Sequence, residues 1–276
     1  MSITHYIKAQ EALNLEQLNT LILSISNISY EKRSPESYYY WIDKKSTRGV
    51  DITLESNSIE IRNTTLSNSY DYDLTNQILD IITSVTKGTV FNESDEQVIN
   101  FPIFSDEKIT QIEIYDCEMA QKLSQKLGNL TIFSPIRKVH FGKELHEKFK
   151  DLNGYKLKEE MFNIILKVNY QIPNFEYGDI FQFGEQENNK KLIKILTNES
   201  NYIIDKYDYI ALNIVNGQSI VITNEILNSI LPANWVRVNE FTIVAPILSS
   251  SEWNQLLIKA QPFDIWHELQ KNPNIH

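Results

Sequence analysis

Apolar and polar positions alternate most cleanly between Tyr38 and Val85. Val50, Ile52 and Leu54 are separated by Asp51, Thr53 and Glu55, which turns one face of a strand inward and leaves the other wet. Ile59 and Ile61 alternate with Ser58, Glu60 and Arg62 to give a return strand, and Ser56-Asn57 is the turn between the two. The aromatic run Tyr38, Tyr39, Tyr40, Trp41 suits another pleated, half-buried strand. The spacing then becomes helical: Leu74, Ile78, Ile81, Ile82 and Val85 share one side. Asp71 or Asp73 is the expected helix cap, and Gly88, after Lys87, the expected left-handed stop. A hairpin alone is marginal in water, so these strands need that helix or another layer against them.

The same reading extends along the chain. Ile3 to Ile7 is a short strand, and Leu15, Leu18, Ile22 and Ile25 form a helical stripe. Ser26 to Ser37, polar and containing Pro35, reads as a loop. Ser105 opens a helix carrying Ile109, Ile112, Met119, Leu123 and Leu127, stopped by Gly128, although Ile112 to Tyr115 also fits a strand. Leu130 to Phe133 and Ile136 to Phe141 read as strands around Ser134-Pro135. A helix opened by Gly142 ends at Asn153-Gly154, and a second carries Leu157, Met161, Ile164, Ile165 and Val168. Further on, Ile180, Phe181 and Phe183 suggest a strand, and Glu185 to Lys191 a charged loop. Tyr209 to Val215, Asn216-Gly217 and Ser219 to Ile222 give the strongest hairpin signal in the chain. Asn224 caps a helix to Ile230, Val236 to Leu248 is strand-like, and Ser249 to Glu252 begin a helix bearing Trp253, Leu256, Leu257 and Ala260. The expected class is α+β, with mostly antiparallel sheets in hairpin-then-helix units packed on amphipathic helices. Two such units, Val50 to Val85 and Tyr209 to Ile230, suggest similar lobes at residues 1–141 and 142–276, or one domain, since no Pro/Gly/Ser-rich linker divides them.

Composition narrows the function. With 42% hydrophobic and 22% charged residues over 276 positions, the chain can bury a core. Its formal net charge of -10 argues against a nucleic-acid surface, which needs clustered Lys and Arg. The local basic run Lys44, Lys45, Arg48 reads as a solvated loop. No apolar run reaches the ~20 residues of a membrane span. The first residues lack the pattern of a signal peptide, and the single Cys117 has no partner for a disulfide, so a cytoplasmic location is expected.

Catalytic signatures fail in turn. The eight glycines are scattered singly, so neither a phosphate loop nor a dinucleotide fingerprint can be written, and no cofactor is expected. His140 and His146, with Glu144 between them, are not spaced to place both imidazoles on one helical face, and no metal is expected. Trp266-His267-Glu268 starts like a zinc-protease helix, but Lys271 stands where the second His belongs. Asp71 with Asp73, Asp205 with Asp208, and Glu159 with Glu160 are explained by capping, turns and a solvated helix face. Cys117 fits a small core residue.

The aromatic residues remain. Tyr38, Tyr39, Tyr40, Trp41, Tyr70 and Tyr72 cluster in the sequence and form the candidate interaction surface. Core packing is the plainer reading of these rings, yet a strand alternates its faces and must turn some of them outward.

Three segments carry a resemblance: Ser2 to Lys8, Arg48 to Ile52 leading into Ile59 to Arg62, and Val244 to Leu248 followed by Glu252-Trp253. They resemble the domain-of-unknown-function family 4299, a bacterial group. That resemblance implies no catalytic residue. Some such proteins resemble immunity proteins that neutralise toxins, and an acidic surface would suit a basic partner. The leading expectation is a non-catalytic protein-binding module. The alternatives are a hydrolase with a dispersed Asp/Glu site around His140, and a structural subunit of a homo-oligomer.

Overall fold

The computed structural model describes residues 2–11, 13–56, 58–98, 101–183, 190–213 and 219–271. The chain is α+β with mostly antiparallel sheets. It forms two compact units, Met1–Gln171 and Ile172–His276. The division therefore lies beyond the expected 141/142.

In the first unit, β1 (Ile3–Lys8) is followed by α1 (Leu15–Ile22), β2 (Ile28–Ser34), β3 (Ser37–Ile42), β4 (Val50–Leu54), β5 (Ile59–Asn63), α2 (Ser69–Thr86) and β6 (Thr89–Asn92). The strands make one antiparallel sheet in the order β2-β3-β4-β5-β1-β6. Ile7, Ile52, Ile59 and Ile61 of its inner face pack with Leu18 and Ile22 of α1 and Leu74, Ile78 and Ile82 of α2. The alternation of β4 and β5 thus predicts the buried face correctly.

Segment 26–37 is not the expected loop, because β2 is an edge strand paired with β3 at Tyr30↔Tyr40 and Lys32↔Tyr38. Its side chains are mostly exposed, so backbone pairing makes it a strand and no apolar alternation announces it. The charges Glu31, Lys32 and Arg33 suit such an edge, where they discourage pairing with another chain. Helix α2 is capped by Asn68, with Asp71 as the third residue of a capping box, so neither Asp71 nor Asp73 is the cap. It ends on Lys87 at φ 49°, not on Gly88. Gly88 is small for another reason: a Cβ there would lie 2.6 Å from Ile7 Cγ2.

The first unit continues with α3 (Asp106–Leu127), the hairpin β7 (Leu130–Phe133) and β8 (Lys138–Phe141), α4 (Lys143–Phe149), α5 (Gly154–Leu166) and a π turn over Lys167–Gln171. Asn153-Gly154 opens α5 instead of ending α4, which stops at Phe149. Three contacts explain why the unit extends to residue 171. Gln121 Nε2 donates to the Phe149 carbonyl at 2.6 Å, Lys158 pairs with Glu113 at 2.9 Å, and the Asn169 side chain accepts from the Ile136 and Arg137 amides.

The second unit holds β9 (Ile180–Phe183), β10 (Lys191–Leu196), β11 (Tyr202–Ile204), β12 (Tyr209–Leu212), β13 (Ile220–Ile222), α6 (Asn224–Ser229), β14 (Val236–Arg237), β15 (Ile243–Ala245), α7 (Ser250–Ala260) and α8 (Trp266–Lys271). Strands β12 and β13 pair as the sequence predicts, although the Asn216-Gly217 turn lies outside the described residues. The sheet order is β13-β12-β10-β9, with β10 and β12 parallel, and β11, β15 and β14 form a second sheet. Thr223, not Asn224, caps α6. A mixed four-stranded sheet and the six-residue α6 differ from the all-antiparallel sheet and the long α2 of the first unit, so the two lobes are not alike. Among the described residues no helix is long and apolar enough to cross a membrane.

Candidate interaction face

The six-stranded sheet sorts the candidate aromatics by face. Tyr38 and Tyr40 point with Ile52 into the core, where Tyr40 Oη donates to Asn19 Oδ1 at 2.8 Å and Tyr38 Oη to Glu16 at 3.2 Å. Tyr72 is buried on α2, its ring 4.7 Å from that of Phe104. These three do not belong to a surface. Period-two alternation aims Tyr38 and Tyr40 at the helices, and the helical period aims Tyr72 at the same core.

Tyr39 and Trp41 occupy the opposite face. Tyr39 is nevertheless only 2% exposed. The Arg33 guanidinium lies 3.6 Å from its ring centroid, and Trp41 stacks at 5.4 Å in a tilted arrangement. Its hydroxyl donates to the Arg48 carbonyl. Gly49, at φ +65°, passes so close that a Cβ would meet the Tyr39 ring at 2.8 Å and the Tyr40 carbonyl at 2.6 Å. Of the six candidates, then, Trp41 is half-buried on the outer face and Tyr70, 43% exposed, sits on the first turn of α2 with Lys45 Nζ 4.9 Å above it.

Strand register extends the outer face beyond these residues. One cross-strand row runs Tyr39, Asp51, Arg62, Thr4, and the next runs Thr53, Glu60, Tyr6, Phe91. Arg33 closes the first row through an ion pair with Asp51 at 2.6 Å. Burial pushes the Asp51 carboxyl above its ordinary pKa, against the pull of Arg33 and Arg62. Glu60 is likewise raised, by burial first and then by Glu55. At the far end, Lys8 Nζ lies 4.1 Å from the Phe91 ring centroid and 2.8 Å from Asp95. Tyr6, Trp41, Phe91, Asp51 and Glu60 are half-buried, while Arg33 and Arg62 are exposed. The face sets aromatic rings among charges of both signs.

One buried carboxylate holds the edge of this array in place. Asp71 accepts from the Gly49 amide at 2.9 Å, the Arg48 amide at 3.0 Å, Thr47 Oγ1 at 3.1 Å and the Asn68 amide at 3.0 Å. Burial raises its pKa, opposed by the Ser46 hydroxyl and these backbone donors. The loop carrying Lys44, Lys45 and Arg48 is thereby pinned to the start of α2. Lys44 and Lys45 are exposed, and Arg48 is half-buried, its carbonyl accepting from the Tyr39 hydroxyl.

The other candidates are dispersed. His140, on β8, is 4% exposed, with Nδ1 2.8 Å from Thr131 Oγ1. Cys117 is buried in α3, where desolvation pushes its thiol far above the usual range. Asp208 accepts from the Leu192 amide at 2.8 Å, and Glu160 pairs with Lys148 at 2.8 Å. Among the described residues no group of three or more His, Cys, Asp or Glu side chains is placed to hold a metal ion. Sequence reasoning missed Tyr6, Arg62 and Phe91 as members of one face; the signal was the alternation of β1 and β5, which needs the sheet order to become a surface.

The fold and this face define an α+β protein whose first unit displays an aromatic and charged sheet surface. No family model, no curated protein and no solved structure matches the chain.

Proposed function

We propose that the chain is a non-catalytic, cytoplasmic protein-binding module of immunity-protein type, which engages its partner through the outer face of the six-stranded sheet. The observation that carries this reading is the set of Tyr6, Trp41 and Phe91 with Arg33 and Arg62, spread over five strands of one sheet. Tyr, Trp and Arg are the residues that concentrate binding energy at protein interfaces. Strands hold them with little left to order on association, so less binding energy is spent on immobilising them. The chain's net charge of -10 would steer a basic partner toward it and speed encounter. The competing hydrolase reading needs His140 to meet a substrate, yet that residue is buried against Thr131.

Capture from native cytoplasm tests the proposal. Wild-type protein should retain a specific, basic partner that Trp41→Ala and Arg62→Ala each lose. Retention unchanged by both substitutions, or no specific partner at all, contradicts it.

A further inference from the structure

Lys194 lies in the interior strand β10 of the second unit, between Ile180 of β9 and Ile210 of β12, and its side chain is 0% exposed. Its Nζ has no hydrogen-bond partner among the described residues. The walls are aromatic: the Tyr202 ring centroid is 5.1 Å away and that of Tyr207 6.0 Å. A buried amine with no acceptor is unusual, because an ammonium there forfeits its water and gains little in return.

The roof over this amine is a short strap, Glu176 to Asp179, whose residues are all exposed. It is tied down by the Ile203 amide donating to the Glu176 carbonyl at 3.0 Å and the Ile195 amide donating to the Asp179 carbonyl at 3.1 Å. Gly178, at φ +60°, presses directly on the site: a Cβ there would lie 2.7 Å from Lys194 Nζ and 2.6 Å from Tyr202 Cε1. A fully buried nitrogen is thus separated from solvent by one thin, exposed segment.

We propose that Lys194 is a covalent attachment site for a small aldehyde or ketone, admitted when the 176–179 strap lifts. The amine must be neutral to react, and its surroundings raise the share of that state. Desolvation lowers its pKa to about 8, outweighing the nearby carboxylates of Asp179 and Glu176, which act in the opposite direction. At pH 7.5 the neutral fraction then exceeds that of a surface lysine on the order of a hundredfold. The nitrogen lone pair adds to the carbonyl carbon, and the carbonyl π pair moves to oxygen. A proton passes from nitrogen to that oxygen, giving a carbinolamine, and loss of water leaves an imine. Asp179 and Glu176 on the strap are the carboxylates whose charge acts on this amine, and the Tyr202 and Tyr207 rings line it.

The test uses the full chain, acetaldehyde and cyanoborohydride at pH 7.5, with ethylation at each lysine followed by peptide mass spectrometry. Lys194 should be labelled at least tenfold faster than the exposed Lys122 and Lys126, with a rate that levels off above about pH 8. Gly178→Ala, which pushes the strap off Tyr202, should accelerate Lys194 further, and urea should erase its advantage. Labelling of native Lys194 no faster than that of the exposed lysines overturns the proposal, and so does an advantage that survives in urea.

Discussion

The guanidinium of Arg33 covers the ring of Tyr39 at 3.6 Å while pairing with Asp51 at 2.6 Å, so one edge-strand side chain seals an aromatic ring on the neighbouring strand. Removing it should both unseal the ring and unpair the carboxylate. Arg33→Ala is expected to destabilise the protein by about 1 kcal/mol, the scale of a partly exposed cation–π contact with a surface ion pair. Urea unfolding should show a lower midpoint at unchanged slope. A midpoint equal to wild type would mean that the stack contributes nothing.

Gly49 and Gly128 both have positive φ, at 65° and 71°, but differ in their surroundings. A Cβ on Gly128 meets nothing within 4 Å, whereas one on Gly49 strikes the Tyr40 carbonyl and the Tyr39 ring. Gly128→Ala should therefore cost only the left-handed backbone strain, about 1–2 kcal/mol. Gly49→Ala should cost clearly more, with added loss of the near-ultraviolet dichroism of the tyrosines. Equal costs measured by thermal unfolding would contradict the packing described for Tyr39.

Asp71 gathers the Gly49, Arg48 and Asn68 amides and the Thr47 hydroxyl around one buried carboxylate. Asp71→Asn presents an NH2 group to at least one of those donors, so a loss of about 3 kcal/mol is expected. Asp73→Asn, on the next exposed position of α2, should change stability by under about 0.5 kcal/mol, as surface substitutions do. Chemical denaturation of the two variants side by side checks the contrast.

Two buried bases give stability a defined pH dependence. Burial chiefly, with Lys108 adding to it, lowers the His5 pKa from 6.5 to about 4. Lys194 falls from 10.5 to about 8. In each case the unfolded chain binds the proton at a pH where the folded chain does not. Stability should thus fall as pH drops from 6.5 toward 4 because of His5, and rise as pH climbs from 8 toward 10.5 because of Lys194. The limiting slope is about 1.4 kcal/mol per pH unit for each group. Because carboxylates titrate in the lower window, the check is the difference between wild type and His5→Leu, and in the upper window between wild type and Lys194→Met. Parallel curves for both pairs would show that neither base shifts its pKa on folding.

Strands with one wet face were legible because alternation is local: Val50 to Leu54 and Ile59 to Ile61 locate their own core side. Strand β2 was illegible because its partners supply the order that its own side chains do not. The parallel pairing of β10 with β12 joins segments with β11 between them in the chain, and nothing in either segment encodes that. The candidate site was half legible. The run Tyr38 to Trp41 announces a strand, and its alternation decides which rings are core, but the Arg33 cover on Tyr39 arises from a neighbouring strand. Tyr6, Arg62 and Phe91 join the face only through the order β4-β5-β1-β6. Lys194 reads in sequence as one more charge beside Lys190 and Lys191; only the fold buries it.

The proposed function requires the outer sheet face to meet a protein. Hydroxyl-radical footprinting of the chain, alone and with its captured partner, measures this ring by ring. Oxidation of Tyr6, Trp41 and Phe91 should fall several-fold in the complex, while the exposed Tyr115 and Tyr155 of α3 and α5 stay unchanged. Unaltered oxidation of the three sheet rings, with protection elsewhere, would contradict it.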